Sequence, residues 1–349
     1  MRVVSIVGAR PQFVKVAPIS WITKDVCEHL ILHTGQHYDH ALSDAFFADL
    51  DIPKPVETFN IGSGSHAEQT AGILVKTEAA LIRLKPDVVL IYGDTNSTLA
   101  GVLAASKLGI KTGHIEAGLR SFNRSMPEEI NRVVSDHLSD VLFAPTNTAV
   151  DNLKREGLGD KTLLVGDIFI ESFNYIVNKI KKSEDLVRKP YLFTTIHRAE
   201  NTDKKERLEK IISNLAISKM PVHLYAHPRL IKQAKLFNIK LNQGSIIVHQ
   251  PATYFETIQA VLQATGVVTD SGGLQKEAYL SKTPCLTIRE ETEWLETLNG
   301  GWNKLDPNLE LITSNWWEIT GNYDSYKIFG DGSTSKKILD SILIFGLRF

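Results

Sequence analysis

The feature that most constrains this chain is a unit that keeps returning: a short apolar, β-branched run, then a polar or glycine-containing turn, then a helix-like stretch. "VVSIVG" leads into "ARPQF", "LILHTG" into "QHYDH", "VVLIYG" into "DTNST", "TGHIEA" into "GLRSF", "VLFAPT" into "NTAVDNL" and "TLLVGD" into "IFIES". After residue 165 the series starts again, with "LFTTIH" before "RAENT", "VHLYAH" before "PRLIK", "IIVHQ" before "PATYF", "GVVTD" before "SGGLQKE" and "CLTIR" before "EETEW". Strands apolar on both faces belong to parallel sheets covered by helices. Their alternation with helical stretches makes βα units. Two series predict an α/β chain of two Rossmann-like, doubly wound domains, and 349 residues suit two domains better than one. The lysine-rich "NKIKKSEDLVRKP", ending in proline, marks the boundary region. The expected division is 1–167 and 168–334, the second domain being the nucleotide-binding one.

Composition narrows the partners. With 23% charged residues and a formal net charge of −1, the chain has no global pull towards nucleic acid. Cys27 and Cys285 lack CxxC partners and read as free thiols, which suits a reducing, cytoplasmic setting. The sequence opens on "RVVSIVG" without a signal pattern, and no apolar run approaches the length of a membrane span.

Nearly every unusual polar cluster falls at the carboxyl end of a predicted strand. Ligands bind there in open α/β sheets, where helix N-termini present N–H groups and a favourable dipole. If the two domains face each other, these clusters line one interdomain cleft. In "TDSGGLQKE", Asp270 or Ser271 can cap a helix, Gly272 and Gly273 allow close backbone approach to a pyrophosphate, and Glu277 can accept from ribose hydroxyls. An ordinary capped helix is the plainer alternative. "GARPQFVK" brackets a proline turn with Arg10 and Lys15, two cations for an anion or for neighbouring carboxylates. Asp94 in "YGDTNST" reads first as a helix N-cap.

Glu116 arises one strand after Asp94 at the same sheet edge, with Glu128 and Glu129 beyond it. Such a carboxylate cluster persists only if arginines, cations or protons compensate, and Arg120, Arg124 and Arg132 are available. Arg120, Arg124 and Glu129 read as pairs that hold the loop. His197 and His227 end two strands of the second series, each followed by arginine. Structural histidines, phosphate ligands and proton-transfer groups all fit that position. Metal-ligand spacing is missing, so no metal is expected. "REETEWLE" reads as a helix N-terminus with favourable charges, leaving Arg289 and Thr292 as residues that could face a ligand.

Taken in order, "GARPQFVKVAPI", "GDTNSTLAG", "HIEAGLRS", "MPEEINR", "FAPT", "VGD", "HRAEN", "AHPR", "DSGGLQKEA", the Arg289 to Glu293 stretch and "GDGSTSKKI" resemble the non-hydrolysing UDP-N-acetylglucosamine 2-epimerases over nearly the whole chain. The resemblance implies a GT-B-like pair of domains, with the last helix, 335–349, crossing back to the first. It implies inversion at C2 of UDP-GlcNAc to UDP-ManNAc, for surface polysaccharide precursors, by elimination and re-addition of UDP through a 2-acetamidoglucal. No metal, redox cofactor, nucleic acid or membrane takes part, and a homodimer is implied. By matching motif, Asp94, Glu116 and Glu128 are the acid/base candidates, and His197 is a further essential group. Arg10, Lys15, Arg132 and His227 surround the phosphates or the sugar. Ser271, Gly272, Gly273 and Glu277 hold the diphosphate and ribose.

There are departures. Gln12 stands where many members have Glu, and Trp294-Leu295-Glu296 where many have Arg-Pro-Glu. Tyr38-Asp39 after Gln36-His37 differs from the allosterically activated bacterial enzymes and argues against that activation here. "RPQF", "GSGSHAEQT" and "ETEWLE" look closer to the branch acting on UDP-2,3-diacetamido-2,3-dideoxyglucuronate, which shares the chemistry. A GT-B glycosyltransferase and a silent nucleotide-sugar binder are the competing classes, and the dense carboxylate set favours epimerisation over both.

Overall fold

The structure is a computed structural model that describes residues 1–36, 40–183, 186–319, 321, 323 and 328–346. The Tyr38-Asp39 departure therefore lies outside the described residues. The chain divides into two compact units, one made of Met1–Tyr175 and Ser325–Phe349, the other of Ile176–Asp324.

Unit 1 is built on a parallel sheet of β1 (Arg2–Val7), β2 (Glu28–His33), β3 (Glu57–Thr58), β4 (Val88–Tyr92), β5 (Lys111–Ile115), β6 (Val141–Ala144) and β7 (Thr162–Leu164). Their order is β3-β2-β1-β4-β5-β6-β7. The central strands are apolar on both faces: every residue of "VVLIY" in β4 is buried. Helices α1 (Arg10–Thr23), α2 (His40–Asp49), α3 (His66–Leu84), α4 (Asn96–Lys107), α5 (Pro127–Leu138), α6 (Asn147–Arg155) and α7 (Phe169–Ser183) follow the strands in turn. Local signals set their limits. Ser65 and Glu68 form a reciprocal capping box at the start of α3, and the helix stops at Lys85 in the left-handed region. One core lies between β1, β4, α3 and α4, with Val4, Ile6, Val89, Ile91, Leu81 and Val102 in it.

Unit 2 repeats the plan with β8 (Lys189–Thr195), β9 (Val222–Tyr225), β10 (Ile246–His249), β11 (Ala264–Thr269), β12 (Cys285–Thr287) and β13 (Asn303–Leu305), ordered β10-β9-β8-β11-β12-β13. Among its helices are α8 (Ala199–Thr202), α9 (Lys205–Ala216), α10 (Pro228–Phe237), α11 (Tyr254–Gln263) and α12 (Gly272–Leu280). Leu192, Leu224, Val268, Ile211 and Trp316 belong to its core.

The last described helix, α13 (Thr334–Gly346), belongs to unit 1 and packs on α1. Its first turn is tied down by Glu171, whose Oε1 accepts the Ser335 N–H at 2.7 Å, and by Thr334 Oγ1 donating to the Val165 carbonyl at 3.0 Å. With α13 on one side and the sheet on the other, α1 is buried nearly all round, which is why its sequence "FVKVAPIS" shows no polar stripe. Among the described residues no helix is long and apolar enough to cross a membrane.

Both sheets reverse strand order once, unit 1 between β1 and β4 and unit 2 between β8 and β11. Those switch points are where an open α/β sheet leaves a crevice at its carboxyl edge.

Candidate active site

At the switch point of unit 1 the turn after β1 is closed by Gln12. Its Oε1 accepts the N–H groups of Gly8 (2.7 Å) and Ala9 (3.0 Å). Its Nε2 donates to the Tyr92 carbonyl (2.9 Å) and to Thr98 Oγ1 (3.1 Å). An amide can accept two such bonds and donate two more, so Gln12 is fully used and ties the end of β1 to the end of β4. A glutamate here could not donate to the Tyr92 carbonyl without taking up a proton. Arg10 sits half-buried at the start of the same turn.

One turn further along α1, Lys15 Nζ reaches Glu116 Oε1 at 2.5 Å, and both side chains are buried. Glu116 follows β5 directly and holds a φ of 71°, in the left-handed region that side chains usually avoid. Its N–H and that of Ala117 both donate to the Phe143 carbonyl, at 3.2 and 3.1 Å, and fix the kink. Gly93 abuts the ion pair: a Cβ there would lie 3.2 Å from Lys15 Nζ and 3.5 Å from Glu116 Oε1. The next residue, Asp94, is not the cap of α4, since Thr95 holds that position. Asp94 pairs instead with Arg132 of α5, and its carbonyl accepts from Asn131 Nδ2 at 2.9 Å. Asp94, Glu116, Lys15 and Arg132 are thus drawn to one strand edge.

Glu128 stands apart from these networks. It is exposed on the first turn of α5, while its neighbour Glu129 is buried and accepts the N–H groups of Ser121 (2.8 Å) and Phe122 (3.1 Å). Glu129 therefore anchors the 117–126 loop. Arg120 has a similar task, donating to Glu156 at 2.8 and 2.7 Å and facing Asp136 at 2.8 Å.

At the switch point of unit 2 the hub is Asp270, wholly buried after β11. It accepts from the N–H groups of His197 (3.1 Å) and Arg198 (2.9 Å) and from Asn201 Nδ2 (3.1 Å), and pairs with His197 Nδ1 at 3.2 Å. Asp270 so fixes both the backbone and the ring of His197, which keeps part of its surface open. The His227 ring lies 5.4 Å away, and its Nδ1 accepts the Arg229 N–H at 3.2 Å to cap α10. Ser271 rather than Asp270 caps α12, its Oγ accepting the Leu274 N–H at 3.4 Å. Gly272, half-buried, and Gly273, exposed, form the first turn of that helix, at the positive end of its dipole. Glu277, one turn on, is buried, and burial raises its carboxyl from 4.5 to about 7 against the lowering effect of Lys276.

The "REETEWLE" expectation is corrected here. Residues 289–294 form a loop that leads into a 3-10 turn at Leu295–Gly301, not an α-helix start. Side-chain partners hold it: Arg289 pairs with Glu293 at 2.8 Å, Thr292 Oγ1 donates to Gln275 Oε1 at 2.7 Å, and Lys276 Nζ sits 3.8 Å over the Trp294 ring. The Glu293 carboxylate lies against Gly272, where a Cβ would strike it.

Sequence reading missed Gln12, Asn131, Gln275 and the buried His114–Asp136 pair as organisers. Only the odd placing of buried-type polar residues beside strand ends could have pointed to them.

Comparison with known proteins agrees with these constellations. Residues 22–343 match the family model described as UDP-N-acetylglucosamine 2-epimerase. A UDP-N-acetylglucosamine 2-epimerase homolog of Methanococcus maripaludis is 46% identical, covering 97% of this chain and 99% of its own. The UDP-2,3-diacetamido-2,3-dideoxy-D-glucuronate 2-epimerase of Pseudomonas aeruginosa is 40% identical over the same shares, 97% and 99%. The crystal structure of Methanocaldococcus jannaschii UDP-GlcNAc 2-epimerase in complex with UDP-GlcNAc and UDP superposes with a TM-score of 0.89 at 38% identity, covering 99% of this chain and 100% of that one. Two doubly wound sheets, an acid-rich strand edge on one and a glycine-led helix on the other, together with matches that run the length of the chain, establish that this protein belongs to the UDP-N-acetylglucosamine 2-epimerase family of isomerases.

Proposed function

We propose that this enzyme interconverts UDP-GlcNAc and UDP-ManNAc. The C2 proton of such a sugar is not adjacent to a carbonyl, so removing it alone is too costly. Elimination lets it go. A carboxylate takes the proton from C2 as the C1–O bond to UDP breaks, which leaves 2-acetamidoglucal and UDP. UDP then re-forms the bond to C1 while a proton reaches C2 from the opposite face. Unit 1 supplies the proton-handling groups in this reading: Glu116 for one transfer, Asp94 or Glu128 for the other, with Lys15, Arg10 and Arg132 as cations for sugar and leaving group. Unit 2 supplies Ser271, Gly272 and Gly273 for the diphosphate, Glu277 for the ribose, and His197 and His227 beside the phosphates.

The observation that carries the reading is the buried Lys15–Glu116 pair against Gly93–Asp94 at the unit 1 switch point. A protein that only bound nucleotide would have no use for two carboxylates and their cations at that edge. Incubating the protein with UDP-GlcNAc in D2O and following H1 and H2 by NMR tests it. UDP-ManNAc with deuterium at C2 is expected. Free ManNAc plus UDP, or no change until an acceptor is added, would replace the proposal with hydrolysis or glycosyl transfer.

A second substrate is favoured by one observation, the 40% identity to the diacetamido-glucuronate epimerase. The same assay on UDP-2,3-diacetamido-2,3-dideoxyglucuronate decides between them by the ratio of kcat/KM values. The product would feed surface polysaccharide synthesis in the cytoplasm, where two free thiols are at home. The protein acts as a homodimer in this reading. Val75 and Ile82 of α3 and Ile130 and Leu138 of α5 are exposed on either side of the half-buried Leu99 and Leu103 of α4, an apolar face suited to a second copy.

A further inference from the structure

His114 lies on β5 two positions before Glu116, with no exposed surface. Its Nδ1 is 2.7 Å from Asp136 Oδ1, and its Nε2 is 2.8 Å from the carbonyl oxygen of Gly93. A carbonyl oxygen can only accept, so Nε2 carries a proton. An ionised carboxylate can only accept as well. Asp136 is ionised: its second oxygen already takes the Gly118 N–H at 3.1 Å and faces Arg120 Nη2 at 2.8 Å. Burial pushes the Asp136 carboxyl up, but the charges and hydrogen bonds of His114 and Arg120 outweigh it and hold the group below the ordinary carboxylate range. The ring is thus held at both nitrogens, by Asp136 on one side and by the Gly93 carbonyl on the other.

Arg120 is shared between Asp136 and Glu156. Lys161 adds a second cation near Asp136 from the outer side, its Nζ donating to the carbonyls of Asp136 (2.9 Å), His137 (3.0 Å) and Ser139 (2.6 Å). On the inner side, across the Gly93 turn, stand Lys15, Glu116 and Asp94.

The Gly93 turn is held from both ends by β5. Its N–H donates to the Ile115 carbonyl at 3.0 Å, and its carbonyl accepts from His114 at 2.8 Å. Residues 114 and 115 thus clamp the residue that precedes Asp94, and residue 116 carries the other carboxylate. Resting on the epimerase reading above, we propose that His114 is a positioning residue for the C2 proton transfers: a buried ring, anchored by Asp136, that grips the Gly93 carbonyl and fixes the spacing of Asp94 relative to the Lys15–Glu116 pair. His114 touches no substrate in this scheme; it acts through Gly93.

Two measurements test it. In protein labelled with 15N-histidine and assigned through ring-to-backbone correlations in the wild type, Nε2 of His114 is expected to carry a proton and to show its hydrogen bond to the Gly93 carbonyl. An unprotonated, pyridine-type Nε2 overturns the proposal, and this readout needs neither substrate nor a folded variant. In steady-state assays, His114→Gln is expected to lower kcat and C2 deuterium exchange together by roughly 10- to 100-fold, the scale of a small misplacement of reacting groups. KM and UDP affinity should stay within about two-fold, since the substrate contacts are untouched. Unchanged kcat in a folded variant, or an equal loss of UDP affinity, sinks the positioning role. A protonated Nε2 in a wild-type protein that turns over neither UDP-sugar overturns the epimerase reading and the catalytic purpose of the clamp, but not the clamp.

Discussion

Glu116 carries its negative charge beside a cation, on a left-handed backbone, at the edge of a sheet. Burial of the charge and the left-handed backbone both cost free energy that a structural glutamate could avoid, for the backbone alone about 1–3 kcal/mol. Replacing it with glutamine keeps the shape and removes the proton acceptor. Glu116→Gln is expected to abolish C2 deuterium exchange while UDP binding, measured by calorimetry, stays largely intact. Equal loss of both would mark the residue as structural. Glu277 makes a different prediction. Its folded carboxyl sits at about 7 against an ordinary 4.5, so the fold takes up a proton there. Its share of stability is full below the ordinary value and is lost as pH rises through about 7. Ribose hydroxyls would supply donors to the ionised form, so affinity for UDP-GlcNAc, whose diphosphate does not titrate in this range, should rise with pH through about 7. Glu277→Gln should flatten that dependence. An unchanged slope in the variant would remove Glu277 from the ribose.

Glycines and turns show what elements do that single side chains cannot. Gly8 closes the β1–α1 turn with no room for a Cβ, which would collide with Thr34 Oγ1 and Ser97 Oγ. Those hydroxyls bond each other at 2.8 Å, and Gln36 Oε1 accepts from Ser97 Oγ at 2.7 Å. Gly8→Ala should therefore cost about 1–3 kcal/mol and lower Tm, read by calorimetry, because the ends of β1 and β2 and the first turn of α4 must move apart. A variant as stable as the parent would show the turn to be slack. Strand positions were legible because β-branched runs with glycine at their ends have few alternatives, and Gly8, Gly93 and Glu116 all fall at strand ends as the pattern expects. Other points were hidden from a linear reading. "REETEWLE" has a helix-like distribution of charge, but its conformation is decided by Gln275 and Lys276 from another element. Asp94 has the composition of a cap, yet Arg132 claims it from 38 positions away along the chain. His114 and Asp136, 22 residues apart, meet only because α5 returns across β5.

For the molecule as a whole, the apolar face of α3, α4 and α5 bears on how many copies work together. Replacing both Val75 and Ile82 with lysine adds two charges to that face without touching a buried side chain. The double variant is expected to sediment as a monomer with unchanged far-UV dichroism, and the parent as a dimer. Both sedimenting alike would move the contact elsewhere. The discontinuity of unit 1 has another consequence. Unit 2, about 150 residues from Ile176 to Asp324, is inserted between two pieces of unit 1. On the ribosome all of it is synthesised before α13 is translated. At ordinary elongation rates α1 waits roughly 15–60 s for the helix that covers it. During that interval the first-made part of the chain exposes an apolar helix surface. The nascent protein is thus at its most vulnerable to aggregation late in synthesis, and it is its earliest residues that need a chaperone's cover.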